Sequence, residues 1–302
     1  MKKLNDTINR YFGVILFGAT LTGLFLPDIH INVNNVIVIA LAFIIFISFF
    51  KVKVDKTLVS GDFRTILLFF IIRFIALPVI LYFTLIYISE YYAIVIFILL
   101  ILPSAVSSPA FANMFNGNIA MALKIMIFSS FLTILTLPLL CKFVLTGNKE
   151  IDVTGMFYTM IYTIIVPFII HLPFKSSKKT VSFLTLNSPL LTVTGLSAIY
   201  LLAIIKNKDI IMANPMLVIF YTLISVLIFL ILYISGFKFI KNKDIKNKIS
   251  FSICSGANNV GLGVAITALY FTEEINVFFI TAQLAWIVAL IPIRYFFFRY
   301  NK

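Results

Sequence analysis

Apolar runs long enough to cross a bilayer recur along the whole 302-residue chain. A spanning helix needs about 20 mostly apolar residues, because each residue advances it by about 1.5 Å. The runs neither alternate like barrel strands nor form the narrow apolar stripe of a soluble helix, so spanning helices are predicted. We place ten of them, at residues 11–27, 33–50, 65–89, 92–115, 119–143, 155–174, 181–204, 212–236, 249–271 and 275–298.

The composition also indicates an integral membrane protein. Hydrophobic residues make up 62% of the chain and charged residues only 12%, whereas about a quarter of the residues of a typical soluble protein are charged. No clear small-residue cleavage site follows the first apolar run, so we expect it to remain as the first span rather than act as a signal peptide. Cys141 and Cys254 lie in different spans, and no disulfide is expected.

The net charge of +13 follows from membrane topology rather than from nucleic-acid binding. If the N-terminus is cytoplasmic, 18 Lys and Arg residues fall in the cytoplasmic segments and four fall in the outer segments. This asymmetry predicts a multi-pass protein of the inner (plasma) membrane with both termini in the cytoplasm. The basic segments favour anionic membrane lipid as a partner, and no nucleic-acid partner is predicted.

The ten spans divide into two sets of five. We expect a first five-helix repeat at residues 1–146, an external linker at 147–154 and a second five-helix repeat at 155–302. Because five is odd, the second set enters the membrane from the opposite face, as in inverted-topology repeats. The predicted fold is therefore an all-α integral membrane protein of ten transmembrane helices in two inverted repeats.

An irregular segment interrupts one span of each half. Residues 102–118 (LPSAVSSPAFANMFNGN) place two prolines in span four, and residues 252–263 (SICSGANNVGLG) place three glycines and an Asn pair in span nine. Unsatisfied backbone groups are costly in hydrocarbon, so the freed groups must line a cavity or be buried in protein. Two matched broken helices indicate the binding site of a secondary transporter. Close helix packing by small residues is the alternative interpretation.

Two cations, but no carboxylate, lie deep within the predicted spans, away from their ends. Arg73 and Lys124 are each about five to eight residues from a cytoplasmic helix end, or about 7 to 12 Å deep. Each side chain either snorkels to the interface or faces the bundle interior, where a buried cation needs an anionic partner. With no acidic residue at that depth, we expect the partner in the second case to be the substrate.

A channel, a membrane enzyme and a non-transporting receptor are the competing interpretations. The sequence lacks a ring-forming selectivity filter, which favours a carrier over a channel. An enzyme is not expected, because Cys254 has no His, Asp or Glu at membrane depth to activate it. A receptor built on the same fold stays open as an alternative.

Four short motifs are similar to those of one transporter family. Residues 73–78 (RFIALP) resemble Gln-Phe-x-x-x-Pro, residues 103–109 (PSAVSSP) resemble Pro-Gly-Gly-x-x-Ser-Asn, and residues 117–120 (GNIA) resemble a Gly-Asp pair followed by Ala. Residues 254–262 (CSGANNVGL) resemble Glu-x-Gly-x-Gln-Asn-x-Gly-Leu. Over nearly all its length the chain resembles the bile acid:sodium symporter family, within the superfamily of bile acid, arsenite and riboflavin transporters. The resemblance implies core and panel domains, with helices four and nine unwound where they cross.

The chain departs from the family motifs at positions that resemble sodium ligands. Arg73 stands in place of Gln, Pro109 in place of Asn and Cys254 in place of Glu, while Ala122 and Met126 stand in place of small hydroxyl residues. A hard cation needs about six oxygen ligands, and the side chains of Pro, Cys, Ala and Met offer none. Sodium is therefore a doubtful cofactor, and no other cofactor or metal is expected.

These observations predict a secondary transporter of small organic anions that works by alternating access and is sodium-independent. Arg73 and Lys124 would supply the positive charge that sodium ions bring in the relatives. A sodium-coupled organic-anion symporter, and a non-transporting receptor or channel on the same fold, are the alternatives. No catalytic residue is predicted, and the candidate substrate- or ion-binding residues are Arg73, Ser104, Ser107, Ser108, Pro109, Asn113, Lys124, Cys254, Ser255, Gly256, Asn258 and Asn259.

Overall fold

The computed structural model describes residues 11–29, 32–50, 63–145, 151–240 and 244–300, together with Thr7. Apart from Thr7, the predicted cytoplasmic N-terminus lies outside the described residues, as do the loop at 51–62 and residues 147–150 of the predicted external linker 147–154. Within the described ranges the chain is helical, and its β pairing consists of a single antiparallel bridge between Ser104 and Asn258.

Twelve helices follow one another in the described part of the chain. They are α1 (Phe12–Phe25), α2 (Val33–Phe49), α3 (Phe63–Leu85), α4 (Glu90–Ile101), α5 (Ser108–Met114), α6 (Ile119–Val144), α7 (Val153–Phe174), α8 (Lys178–Ala213), α9 (Pro215–Phe239), α10 (Ile245–Gly256), α11 (Val260–Tyr270) and α12 (Glu273–Tyr300). Six of these, namely α3, α6, α7, α8, α9 and α12, are long and apolar enough to cross a membrane, and α1, α2, α4 and α11 are shorter apolar helices. The predicted all-α membrane class is confirmed, and the ten-span inverted repeat stays a prediction.

Two of the long helices widen to a π-helical turn just before a proline. In α3 the turn is Ile71–Ala76 and precedes Pro78, and in α7 it is Ile161–Ile165 and precedes Pro167. A proline has no backbone N–H to donate, and its ring clashes with the carbonyl four residues earlier, which a wider turn accommodates. The π turn of α3 contains Arg73 and so sets the direction in which this side chain leaves the helix.

The chain forms two compact units, each built from both halves of the sequence. Unit 1 comprises Met1–Lys53, Thr154–Ile219 and Val264–Ile280, and unit 2 comprises Val54–Val153, Phe220–Gly263 and Thr281–Lys302. In unit 1, α8 packs against α1 and α2. The approach of α8 to α2 is close, because a Cβ on Gly195 would lie 2.7 Å from the side chain of Ile44.

Residues 264–280 belong to unit 1, although the other residues of predicted spans nine and ten belong to unit 2. Nδ2 of Asn276 donates to the carbonyl of Val264 at 2.9 Å and to Oγ1 of Thr267 at 2.8 Å. Nδ2 of Asn207, on α8, donates to Oδ1 of Asn276 at 2.9 Å. These buried hydrogen bonds attach the end of α11 and the start of α12 to α8.

Unit 2 has an apolar core that is shared by α3, α5, α6 and α10. Its buried members are Ile66, Phe69, Phe70, Phe74, Ala112, Met121, Ala122, Ile125, Ile240, Phe251 and Cys254. Helix α9 lies directly against α10, because a Cβ on Gly236 would lie 2.6 Å from the carbonyl oxygen of Phe251. This packing fixes the position of the segment that follows α10.

Candidate functional site

The first broken helix of unit 2 is interrupted by its prolines. Helix α4 ends at Ile101, and Leu102 is extended with φ −63° and ψ 140° because the residue before a proline avoids the helical conformation. Helix α5 resumes at Ser108 with Pro109 in its first turn, a position where the missing N–H is not needed. The prolines of span four therefore end one helix and begin the next, as predicted.

The second broken helix is interrupted at Ala257 to Asn259. Helix α10 ends at Gly256, and α11 begins at Val260. The side chain of Asn259 accepts a hydrogen bond from the backbone N–H of Leu262 at 3.2 Å. Because Oδ1 of Asn259 satisfies one of the unpaired amides at the start of α11, it favours a helix start at this point.

The two interrupted segments pair with each other. The backbone N–H of Asn259 donates to the carbonyl of Pro103 at 2.8 Å, and the N–H of Ala105 donates to the carbonyl of Ala257 at 2.6 Å. These bonds flank the single β-bridge of the described residues. The sequence predicted that backbone groups freed by the helix breaks either line a cavity or are buried in protein. The two N–H and two C=O groups named here are hydrogen-bonded within the protein.

Arg73 reaches this crossover from α3 and is only 3% exposed. Its Nε donates to the carbonyl oxygen and to Oγ of Ser255, both at 3.1 Å. Its Nη2 donates to the same carbonyl at 2.8 Å and to Oδ1 of Asn258 at 3.0 Å, and its Nη1 donates to the carbonyl of Leu100 at 2.9 Å. Four protein oxygens therefore hold the guanidinium, which lies 4.8 Å from the ring centroid of Phe74.

The backbone oxygens around Arg73 come from the C-terminal turns of α4 and α10. The last four carbonyls of a helix lack intrahelical partners, and each helix C-terminus carries about half a negative elementary charge. Two such ends together carry about one negative charge, which the single charge of the guanidinium balances. Arg73 therefore caps two helices at once and needs no acidic side chain beside it.

Two other side chains satisfy further carbonyls at the same helix ends. Nδ2 of Asn258 donates to the carbonyl of Leu99 at 2.6 Å, and Oγ of Ser104 donates to the carbonyl of Cys254 at 2.7 Å. Both donors are almost fully buried. Because Asn258 also accepts from Arg73, its amide joins the end of α4 to the segment that follows α10.

The structure brings seven of the twelve predicted site residues together and places the other five on or beside two helices. The residues that meet at the crossover are Arg73, Ser104, Cys254, Ser255, Gly256 and Asn258, with Asn259 next to them. Arg73 faces the protein interior and does not snorkel. The others lie on or beside α5 and α6, where Ser108 is buried, Ser107, Pro109 and Lys124 are half-buried, and Asn113 is exposed.

Three contributors to the crossover were not predicted from the sequence. They are the carbonyl groups of Leu99 and Leu100 and the hydroxyl of Ser129, which accepts a hydrogen bond from the N–H of Ser104 at 3.2 Å. Backbone ligands leave no side-chain signal, and only the expected helix end before Pro103 pointed to them. Ser129 is one hydroxyl within an apolar span, and its polarity was the one available signal.

Three of the positions that resemble sodium ligands, Ala122, Met126 and Cys254, are buried. Ala122 and Cys254 are fully buried members of the unit 2 core, and Met126 is 6% exposed. The thiol of Cys254 contacts the carbonyl of Ala122 at 3.6 Å. Among the described residues, no group of three or more His, Cys, Asp or Glu side chains is placed to hold a metal ion. The side chains of Ala122, Met126 and Cys254 offer no oxygen to a hard cation.

Comparison with known proteins assigns the family. A search of curated proteins finds no match. The sequence model of the Sodium Bile acid symporter family matches residues 38–214, more than half of the chain, including Arg73 and the first broken helix. The chain therefore belongs to the sodium bile acid symporter family and is a multi-pass membrane transporter.

Proposed function

We propose that this protein is a sodium-independent carrier of small organic anions. The observation that carries the proposal is the Arg73 guanidinium, which is bound by four protein oxygens between the ends of α4 and α10. A guanidinium and a sodium ion have the same charge, and both bind oxygen. In this proposal the Arg73 side chain supplies the positive charge that a bound sodium ion would otherwise bring.

A fixed cation changes how transport can be driven. The guanidinium nitrogens lie 2.8 to 3.1 Å from Ser255, Leu100 and Asn258, so a sodium ion has no room among the same oxygens. If no sodium ion enters with the substrate, the sodium gradient cannot drive uptake. The carrier then works as a uniporter or an exchanger, or it couples to protons that the substrate itself carries.

We further propose ten membrane crossings in two inverted repeats. The six long helices, α1, α2 and the two broken pairs α4–α5 and α10–α11 make up ten crossings. In this order the broken pairs are the fourth and ninth crossings, which are equivalent positions of two five-helix repeats. The excess of Lys and Arg in the segments assigned to the cytoplasm supports both termini inside.

We propose alternating access as the transport mechanism, and the division of the chain into two units supports it. Both interrupted segments belong to unit 2, together with α3, α4, α5 and α6. The proposed motion exposes the crossover first to one side of the membrane and then to the other. The bonds between the interrupted segments, and from Arg73 to both helix ends, favour movement of the crossover as a whole.

The position of the acidic residues away from the crossover, together with Lys124 on α6, favours a negatively charged substrate. In the described part of the chain the acidic residues lie in loops or near helix ends, at Asp28, Glu90, Asp152, Asp209, Asp244, Glu273 and Glu274. Lys124 is half-buried on α6 and adds a positive charge near the start of that helix. Ser107 and Asn113 add hydrogen-bonding groups that are at least partly accessible. We propose a monoanionic organic acid as the substrate.

Uptake into proteoliposomes tests the proposed function. The purified protein is reconstituted and offered radiolabelled keto, hydroxy and steroid monocarboxylates, with external sodium chloride or choline chloride. We expect saturable uptake of at least one acid that is equal in both salts and is stimulated by preloading with the unlabelled acid.

Each other result has a distinct meaning. Loss of uptake in choline contradicts sodium independence and supports a coupled symporter. Uptake without saturation or counterflow identifies a channel. The absence of uptake for every acid contradicts transport of this substrate class and favours a receptor.

A further inference from the structure

Gln283 and Trp286 share one face near the centre of α12. Residues three apart on a helix are neighbours on its surface. At 1.5 Å per residue the two lie about 15 and 20 Å from the start of the helix, which is about the middle of the hydrocarbon core if α12 spans the membrane. Both side chains are only 3% exposed.

One polar atom of each side chain has no hydrogen-bond partner among the described residues. These atoms are Oε1 of Gln283 and Nε1 of Trp286, and both are buried. Buried polar groups in proteins are nearly always hydrogen-bonded, because leaving them unpaired is costly. Each of these two atoms therefore needs a partner that the described residues do not supply, and the two side chains lie on the same helix face.

The pair lies next to the crossover of unit 2. The indole of Trp286 packs against the ring of Phe111 on α5, with centroids 5.3 Å apart and planes at 90°. The hydroxyl of Tyr233 donates to the carbonyl of Trp286 at 3.4 Å. The ring of Tyr233 packs on Gly256, where a Cβ would lie 2.2 Å from it, and Gly256 follows the serine that binds Arg73. Trp286 therefore contacts α5 through Phe111, and it is linked through Tyr233 to Gly256 at the end of α10.

We propose that Gln283 and Trp286 form a polar subsite that binds a hydroxyl group of the transported anion. A hydroxyl both donates and accepts, so it satisfies Oε1 of Gln283 with its proton and Nε1–H of Trp286 with its oxygen. The substrate class is then a hydroxylated organic acid. The subsite rests on the proposed function, because it assumes that an organic anion is the substrate.

Tryptophan fluorescence tests the subsite directly, because Trp286 is the single tryptophan of the chain. The purified protein is titrated with matched pairs of acids, such as 3-hydroxybutyrate with butyrate and 2-hydroxyisovalerate with isovalerate. We expect a saturable change in emission with the hydroxylated member of at least one pair. The deoxy member should bind about tenfold more weakly, the effect of losing roughly one good hydrogen bond.

Two variants separate recognition from packing. Q283M keeps the length of the side chain and removes its amide, and W286F keeps an aromatic ring and removes the N–H donor. We expect Q283M, read by Trp286 emission, and W286F, read by ligand-induced thermal stabilisation, to bind both members of a pair with nearly equal affinity.

An unchanged preference in both variants, an equal response of the wild type to both members, or no emission change with any pair would overturn the subsite. Proteoliposome uptake without an emission response rejects the subsite and leaves the proposed function standing. An emission response without uptake rejects transport and leaves the subsite as a binding site.

Discussion

Arg73 acts at the scale of single residues as a cross-link between two helix ends, and this role predicts the effect of replacing it. R73Q removes the charge and most of the donors, so the carbonyls of Leu100 and Ser255 lose their partners. Each buried acceptor left unpaired costs about 1 to 3 kcal/mol, and we expect a loss of roughly 2 to 5 kcal/mol in stability. Thermal unfolding of the purified protein in detergent measures it.

R73Q also tests whether the Arg73 guanidinium takes the place of a sodium ion. R73Q leaves four oxygens at the crossover and adds the amide oxygen of Gln, a set that suits a sodium ion. We therefore expect sodium chloride to raise the melting temperature of R73Q above its value in choline chloride, and to leave the wild type unchanged. R64Q is the matched control, because Arg64 lies on the same helix and is exposed. Equal melting temperatures for R73Q and R64Q would contradict the role of Arg73.

The residues of the site were predicted more fully than their partners. Proline and glycine signals in the sequence marked both helix breaks, and the absence of carboxylates made Arg73 and Lys124 stand out. Ser255 and Asn258 supply three of the four oxygens that bind Arg73, and both were candidate residues. The fourth, the carbonyl of Leu100, was not predicted, because a backbone acceptor leaves no side-chain signal. The side chain of Asn258 was a candidate, but its simultaneous bonds to Arg73 and Leu99 depend on how the two helices cross.

At the scale of helices, the contact between α9 and α10 predicts a strong effect of one methyl group. A Cβ on Gly236 would lie 2.5 Å from Cβ of Ser255, 2.6 Å from the carbonyl oxygen of Phe251 and 3.0 Å from Cα of Ser252. Two of these are backbone atoms that cannot rotate away, so α9 must shift from α10. We expect G236A to lose about 1 to 3 kcal/mol in thermal unfolding and to reduce uptake.

Gly18 provides the matched control for this substitution. It lies within α1, and a Cβ there meets no atom within 4 Å. Alanine favours a helix over glycine by about 0.5 to 1 kcal/mol, so G18A should be neutral or slightly stabilising. Similar losses in G236A and G18A would show that the close contact of α9 and α10 is not the cause.

For the whole molecule, hydropathy and charge predicted the all-α membrane class but not the grouping of helices into units. The sequence places residues 264–280 with the rest of spans nine and ten, whereas buried amide contacts of Asn207 and Asn276 attach them to α8. Asn207 and Asn276 are 69 positions apart, and a single sequence gives no indication that two such distant asparagines form a hydrogen bond. The π turns before Pro78 and Pro167 were not predicted either, although the prolines marked their positions.

The proposed inverted topology predicts on which side of the membrane four exposed positions lie. In the ten-crossing arrangement, Asp152 before α7 and Asn214 between α8 and α9 lie at the outer face. Ser176 and Asp244 lie at the cytoplasmic face. We expect D152C and N214C to react with a membrane-impermeant maleimide in intact cells. S176C and D244C should react only after the membrane is permeabilised, because the first pair and the second pair face opposite compartments.

The wild-type protein serves as the unlabelled control for this experiment, because both of its cysteines are buried. Cys141 and Cys254 are 1% and 0% exposed, so neither thiol should react under native conditions. Labelling of the unsubstituted protein would therefore indicate that the helices around these cysteines open. Reaction of S176C in intact cells would place the two ends of α7 on one side of the membrane. Helix α7 would then not cross the membrane, and the two halves would have unequal numbers of crossings. This result would contradict the inverted repeat, on which the proposed alternating access depends.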